Sequence, residues 1–163
     1  MGSEMCIRDR IYGLGTHAIL SHYYLTQFMG LNVRGYCIMS EYNTLERLSD
    51  LPVFDYDEII YNAESQSCRV VIGVGYQRMN RLRTELYHQL CNAGISVQNV
   101  IGLDEKHLGH GSMGNGLFID HGSMLHPFVD IGNNVVIVTS DIGHHSVITV
   151  SYTHLTLPTI YSV

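Results

Sequence analysis

The chain has 163 residues, a formal charge of −6, and 15 % charged against 45 % hydrophobic residues. An acidic chain without a Lys/Arg cluster argues against nucleic-acid binding. No apolar run approaches the roughly 18 residues of a membrane helix.

The two ends stand apart. "MGSEMCIRDR" (Met1–Arg10) and "VSYTHLTLPT" within Val150–Val163 read as translated sequencing-adapter DNA, the second as GTC TCT TAT ACA CAT CTG ACG CTG CCG ACG. Residues 1–10 and 150–163 are therefore set aside as artefact, with both natural termini taken as missing. Val150–Val163 has no repeat phase and is not expected to extend the pattern before it. Ile11–Thr149, about 139 residues, suit one domain or one small domain plus part of another. With Cys6 set aside, Cys37, Cys68 and Cys91 remain, with no C-x-x-C. Buried thiols in a reducing cytoplasm are the expectation, with neither a disulfide framework nor a metal site.

From Ile11 to about Val100, short apolar strands alternate with helical stretches. "RIYGLGTHAILSHYYLTQF" reads as a strand, a glycine turn and a helix, in which Tyr23 and Tyr24 serve packing or surface. "VRGYCIM" and "SCRVVIGVG" are further strands, the latter apolar enough for a buried parallel position. Met79, Leu82, Leu86, Leu90 and Ala93 fall on one helical face, closed by Gly94. "ISVQNVI" follows as one strand. This alternation predicts a small doubly wound α/β unit. Gly13, Leu14 and Gly15 form its first turn, where backbone can approach a phosphate at a helix N-terminus. Gly73 sits at the carboxyl edge of the sheet, where open α/β folds bind ligands. The third glycine of a dinucleotide turn is absent, and Glu41 is the one acid near the end of the second strand, so NAD is disfavoured. A nucleotide-sugar site and a tight turn without a ligand both stay open.

The second half changes rhythm. Met113, Ile119, Leu125, Ile131 and Ile137 recur every six residues, and Ile142 and Ile148 repeat the step. A six-residue repeat is the signature of a parallel β-helix. The step from Ile137 to Ile142 is one residue short, which predicts a tightened corner just before "GHHS". There His144 is a candidate general base, an imidazole with an ordinary pKa near 6.5; the alternative is a surface histidine at a coil corner. His145, if neutral, cannot stabilise an imidazolium as a carboxylate does. Either a carboxylate comes from elsewhere, with Asp141 one candidate, or the site uses a histidine pair. His121 and His126 form an H-x4-H pair like the zinc ligands of gamma-class carbonic anhydrases, but zinc needs a third ligand that is not apparent.

Four stretches carry a wider resemblance: "YGLGTHA" (12–18), "LPVFDYDEI" (51–59), "GYQRMNRLR" (75–83) and "HPFVDIGNNVVIVTSDIGHHSVI" (126–148). Together they resemble the hexapeptide-repeat sugar acetyltransferases of the sialic acid O-acetyltransferase and bacillosamine-pathway type, over essentially all of Ile11–Ile148. The resemblance implies an α/β fold: a Rossmann-like nucleotide-sugar-binding domain over 11–100, then the start of a left-handed parallel β-helix over 101–149. It implies a cytoplasmic homotrimer of surface-polysaccharide or nucleotide-sugar metabolism that acetylates an amine or hydroxyl of a nucleotide-linked sugar or a sialic-acid-like substrate. Acetyl-CoA is the co-substrate and no metal is expected. His144 is the base and His145 stands where the family has an acidic neighbour. The acceptor is held around Gly13, Leu14, Gly15, Gly73 and Glu41. Coenzyme A lies between neighbouring β-helices in coils beyond Ile148, so this chain alone is expected to be inactive. The alternatives are a non-catalytic nucleotide-sugar-binding module and the zinc lyase.

Overall fold

The computed structural model describes residues 8–62, 68–75, 80–104, 107–108, 111–149 and 153–155. Met79 of the expected helical face lies outside them. Strands β1 (Arg8–Tyr12), β2 (Val33–Ile38), β3 (Arg47–Leu48), β4 (Leu51–Asp55), β5 (Cys68–Ile72) and β6 (Ser96–Val97) form one sheet in the order β3-β4-β2-β1-β5-β6. All neighbours pair in parallel except β3 with β4. The middle strands are buried on both faces, with Ile11, Tyr36, Val70 and Val71 wholly inaccessible, which is why they read as continuous apolar runs.

Helices α1 (Thr16–Gln27), α2 (Tyr56–Tyr61) and α3 (Arg81–Asn92) cover the sheet. Asp55 caps α2 by accepting the Asp57 N–H at 2.9 Å, which satisfies one of the helix's orphan donors. Gly94, at φ +70°, ends the turn after α3, and the Ile95 N–H donates back to Leu90 O at 2.9 Å. Leu86 and Leu90 of the expected stripe are buried on α3 and Ala93 packs against the core, but Leu82 is 48 % exposed and Arg83 takes the inward position beside it. Spacings of i, i+4, i+8 and i+1, i+4, i+8 differ by one position, and α3 turns Arg83 inward instead. Cys91 is exposed on the same helix, contrary to the expectation of three buried thiols.

Two expected boundaries move. β1 starts at Arg8, so the boundary at Ile11 falls inside the central strand. That strand needs all five residues to pair with β5, and the Asp9 carboxylate takes a forked pair of hydrogen bonds from Arg69 at 2.7 and 2.8 Å. "ISVQNVI" divides: Ser96–Val97 joins the sheet, whereas Val100–Ile101 opens the second unit. Asn99 makes the break. Its side chain accepts the Leu117 N–H at 3.0 Å and donates to Gly114 O at 2.9 Å, tying the chain to the coil above.

The second unit is a three-sided stack of parallel strands. β7 (Val100–Ile101), β8 (Phe118–Ile119), β9 (Met124–Leu125), β10 (Asp130–Ile131), β11 (Val136–Val138), β12 (Asp141–Ile142), β13 (Val147–Ile148) and β14 (Thr153–Leu155) follow in turn. One side stacks β7, β8, β11 and β14; the second stacks β9 and β12; the third stacks β10 and β13, with Met113 bridging to Ile131. The six-residue aliphatics line the interior: Ile119, Leu125, Ile131, Ile137, Ile142 and Ile148 share one buried cluster. Phe118 and Val136 point the other way, into the core beneath α1. The two units therefore share apolar packing on that side.

The short step shows as expected. Ile101, Ile119 and Ile137 pair at intervals of eighteen residues, but Leu125 pairs with Ile142 and Ile131 with Ile148 at seventeen. The tightened corner is Val138–Ser140, with Thr139 at φ +45° and the Ser140 hydroxyl donating to Val138 O at 2.8 Å. The expectation that Val150–Val163 adds nothing to the stack does not hold for Thr153–Leu155, which pairs in parallel with β11. An open strand edge offers unpaired N–H and C=O groups to any extended segment within reach, whatever its side chains. Among the described residues no helix is long and apolar enough to cross a membrane.

Candidate active site

Two places hold the residues singled out by the sequence. The first is the carboxyl end of the sheet. The chain leaves β1 for β2 on one side, and β5 lies on the other, so the strand order reverses there, the position at which open α/β sheets form a ligand crevice. Gly13 turns the chain out of β1 at φ +112°, a conformation that side chains resist, and its N–H donates to Cys37 O at 2.9 Å. A Cβ on Gly13 would meet Gly73 O at 3.0 Å, and one on Gly73 would lie 2.7 Å from Tyr12 O and 3.0 Å from the Ala18 Cα. These two glycines thus let β1, β5 and α1 close on one another. Gly15 precedes α1 with no side-chain cap and open space above it, which leaves the helix N-terminus free for an anion. Leu14 packs against the core below α1. Glu41 is exposed in the short turn after β2, at the neighbouring strand end. Burial first, then the charges of Cys37, Tyr42, Asp57 and Glu41, push the Tyr12 hydroxyl up to about 12.

The second place is the corner between β12 and β13. Pro127-Phe128 and His144-His145 occupy equivalent positions in successive coils, and the His145 N–H donates to Pro127 O at 3.2 Å. Phe128 and His145 share the left-handed conformation, at φ +65° and +60°, and their rings lie 4.9 Å apart. The Nδ1 atoms of His144 and His145 are 3.0 Å apart. Both histidines are exposed. Asp141, the candidate carboxylate for His144, instead accepts from His126 Nε2 at 2.9 Å. His121 Nδ1 lies 3.0 Å from Gly102 O, beside a cleft of about 280 Å³ formed by Leu103, Asp104, His107 and Gly122–Met124. His121 and His126 thus have separate partners. Among the described residues no three His, Cys, Asp or Glu side chains gather to hold a metal.

Sequence reasoning missed a third group, where the two units meet. Arg83 is 1 % exposed and donates to Ile72 O at 2.6 Å and Gly116 O at 2.7 Å, joining the end of β5 to the first coil. Burial pulls its pKa down to about 10, so it stays charged at neutral pH. His17 stacks on Phe118 with centroids 4.2 Å apart. Burial, then the charge of Arg83, lowers its pKa to about 4 against an opposing pull from Asp120, so it is neutral at pH 7. The Tyr24 hydroxyl donates to Asp120 at 2.5 Å, and the Thr139 hydroxyl reaches the other carboxylate oxygen at 3.1 Å. The one sequence signal was an arginine beside an apolar stripe.

No family model and no curated protein sequence matches the chain. Solved structures do. A single-site mutant of perosamine N-acetyltransferase from Caulobacter crescentus, in complex with CoA and GDP-perosamine, superposes with a TM-score of 0.66 at 19 % identity, over 91 % of this chain and 74 % of that one. The acetyltransferase domain of PglB from Neisseria gonorrhoeae gives 0.71 at 12 % identity, over 90 % and 69 %. WeeI from Acinetobacter baumannii gives 0.70 at 19 % identity, over 90 % and 68 %. The chain has the fold of these structures, two of which are acetyltransferases, one of them a sugar N-acetyltransferase.

Proposed function

We propose that the chain is part of a cytoplasmic, acetyl-CoA-dependent acetyltransferase that acts on an amine or hydroxyl of a nucleotide-linked sugar. The observation that carries this reading is the joining of a glycine-turn α/β unit to three-sided coils with a histidine corner, in a fold shared with an enzyme crystallised with CoA and GDP-perosamine. The first unit is read as Rossmann-like. It holds the acceptor, with the nucleotide phosphates at the open N-terminus of α1 beside Gly13, Leu14 and Gly15, and with Gly73 and Glu41 at the crevice wall. The second is read as a left-handed β-helix of a homotrimer, with coenzyme A between neighbouring copies.

In this reading His144 accepts the proton of the acceptor amine or hydroxyl as that group attacks the thioester carbonyl. The C–S bond breaks, the acetyl group passes to the sugar, and the coenzyme leaves as its thiol with the proton returned. The uninterrupted protein tests it through thiol release from acetyl-CoA with GDP- or UDP-linked amino sugars. His144→Ala is expected to lower kcat by roughly 10²–10⁴-fold with acceptor KM little changed. A near wild-type rate would remove His144 from the role. The chain by itself is expected to bind nucleotide sugar without turnover, and turnover by the chain would show that its own coils suffice.

A further inference from the structure

The histidine corner departs from the resemblance at one residue, His145, which stands where a carboxylate is expected. We infer that His145 is a positioning residue that accepts a hydrogen bond from His144, so that one N–H is held between the two Nδ1 atoms and the Nε2 lone pair of His144 is fixed as the proton acceptor. This rests on the reading of His144 as the base.

The distance limits the choices. A neutral imidazole carries one N–H and one lone pair. At 3.0 Å the two Nδ1 atoms must hold one proton between them, since two N–H groups would collide and two lone pairs would repel. The ring planes stand at 90°, which lets one ring point its N–H, in its own plane, at the lone pair of the other. His145 is the fixed partner. Its backbone is held in the left-handed region, its N–H is engaged by Pro127 O, and its ring lies on Phe128. His144 has His145 as its described ring partner. No carboxylate intervenes, because Asp141 is engaged by His126. When His144 donates, its Nε2 is a lone pair at the far end of the ring. When His145 donates, His144 Nε2 carries the proton and cannot take another. Only the first arrangement serves a base, and it is the tautomer that a carboxylate at residue 145 would also select.

The test reads the tautomer directly. Long-range ¹H–¹⁵N spectra of the labelled chain, at a pH where both rings are neutral, are expected to show His144 as the Nδ1–H form. His145→Phe keeps a ring on Phe128 but removes the acceptor, and it should return His144 to the Nε2–H form that free histidine prefers. His145→Asp and His145→Asn keep an acceptor and tolerate the left-handed backbone, and both should retain Nδ1–H. They stand in if the Phe variant fails to fold, when His145→Ala supplies the variant without an acceptor. In the uninterrupted protein, loss of the acceptor should lower kcat about 10–100-fold with KM unchanged, as when a metal-bound histidine loses its orienting partner, and Asp should restore it. A wild-type His144 in the Nε2–H form, or one indifferent to residue 145, overturns the inference. The two readings separate cleanly. If His144→Ala abolishes turnover while the tautomer ignores residue 145, only this inference fails. If the tautomer follows residue 145 while His144→Ala turns over normally, the pair stands and the base assignment fails.

Discussion

Replacing Arg83 by Met removes the guanidinium but keeps most of the length of its stem. Two buried carbonyls, Ile72 O and Gly116 O, then lose their donor. A buried acceptor left without a partner costs about 1–3 kcal/mol. The returning cost of burying a charge offsets part of this, because burial alone lowers the arginine pKa to about 10. Two such carbonyls cost about 2–6 kcal/mol before that offset, and a net loss of about 1–4 kcal/mol is expected after it. Set against the usual 5–15 kcal/mol of a domain, that is enough to move the unfolding midpoint by a large fraction. Urea unfolding at neutral pH gives the measurement, with an unchanged slope required so that the shift reports stability. Amide exchange at Leu117 and Phe118 should quicken most, since they lie beside the orphaned Gly116 carbonyl. A variant within 1 kcal/mol of wild type would refute the reasoning, because it would mean that charge burial cancels the two hydrogen bonds.

His17 gives a pH dependence with a definite sign. Its folded pKa, about 4, lies below the ordinary 6.5, so the unfolded chain takes up the proton first as pH falls. Its contribution is complete above about pH 6.5 and is lost between there and about pH 4, up to about 3 kcal/mol. Urea midpoints at about pH 5 and about pH 7 should differ, and His17→Phe should remove most of that difference. Gly73→Ala would set a methyl 2.6 Å from Ile11 Cγ2 and 2.7 Å from Tyr12 O. Backbone on one side and a packed side chain on the other leave it no room, so a loss of about 1–3 kcal/mol is expected in the same assay. Stability equal to wild type would show that α1 and β1 can separate freely.

The sequence was most legible where one residue type does one job. The coil interior accepts only aliphatics, so Ile119, Leu125, Ile131 and Ile137 announced the stack, and the gap before Ile142 announced its tight corner. The glycine turn was legible because the positive φ that leads the chain out of β1 favours glycine, whereas the close approach of Gly73 to β1 and α1 was not. β4 and α2 were not read as elements, since β4 is only half-buried along its length and α2 has just six residues. The division of "ISVQNVI" rests on one asparagine amide, which no periodicity reveals. Arg83 hid because helical spacing cannot tell which of two adjacent stripes turns inward. The pairing of Thr153–Leu155 with β11 is a backbone event, and side-chain phase gives no notice of it.

The shortened corner at Val138–Ser140 acts on the stack as a dislocation acts in a crystal. Below it, layers repeat at eighteen residues; above it, every residue is displaced by one relative to the layer beneath. Without that slip His144 would sit above His126, and His145 above Pro127, a ring with no aromatic face to offer. With it, His145 lands on Phe128 and its N–H meets Pro127 O. One missing residue, six positions before His145, therefore decides which side chains become neighbours at the histidine corner. The irregularity in the repeat and the chemistry proposed at that corner have a common origin.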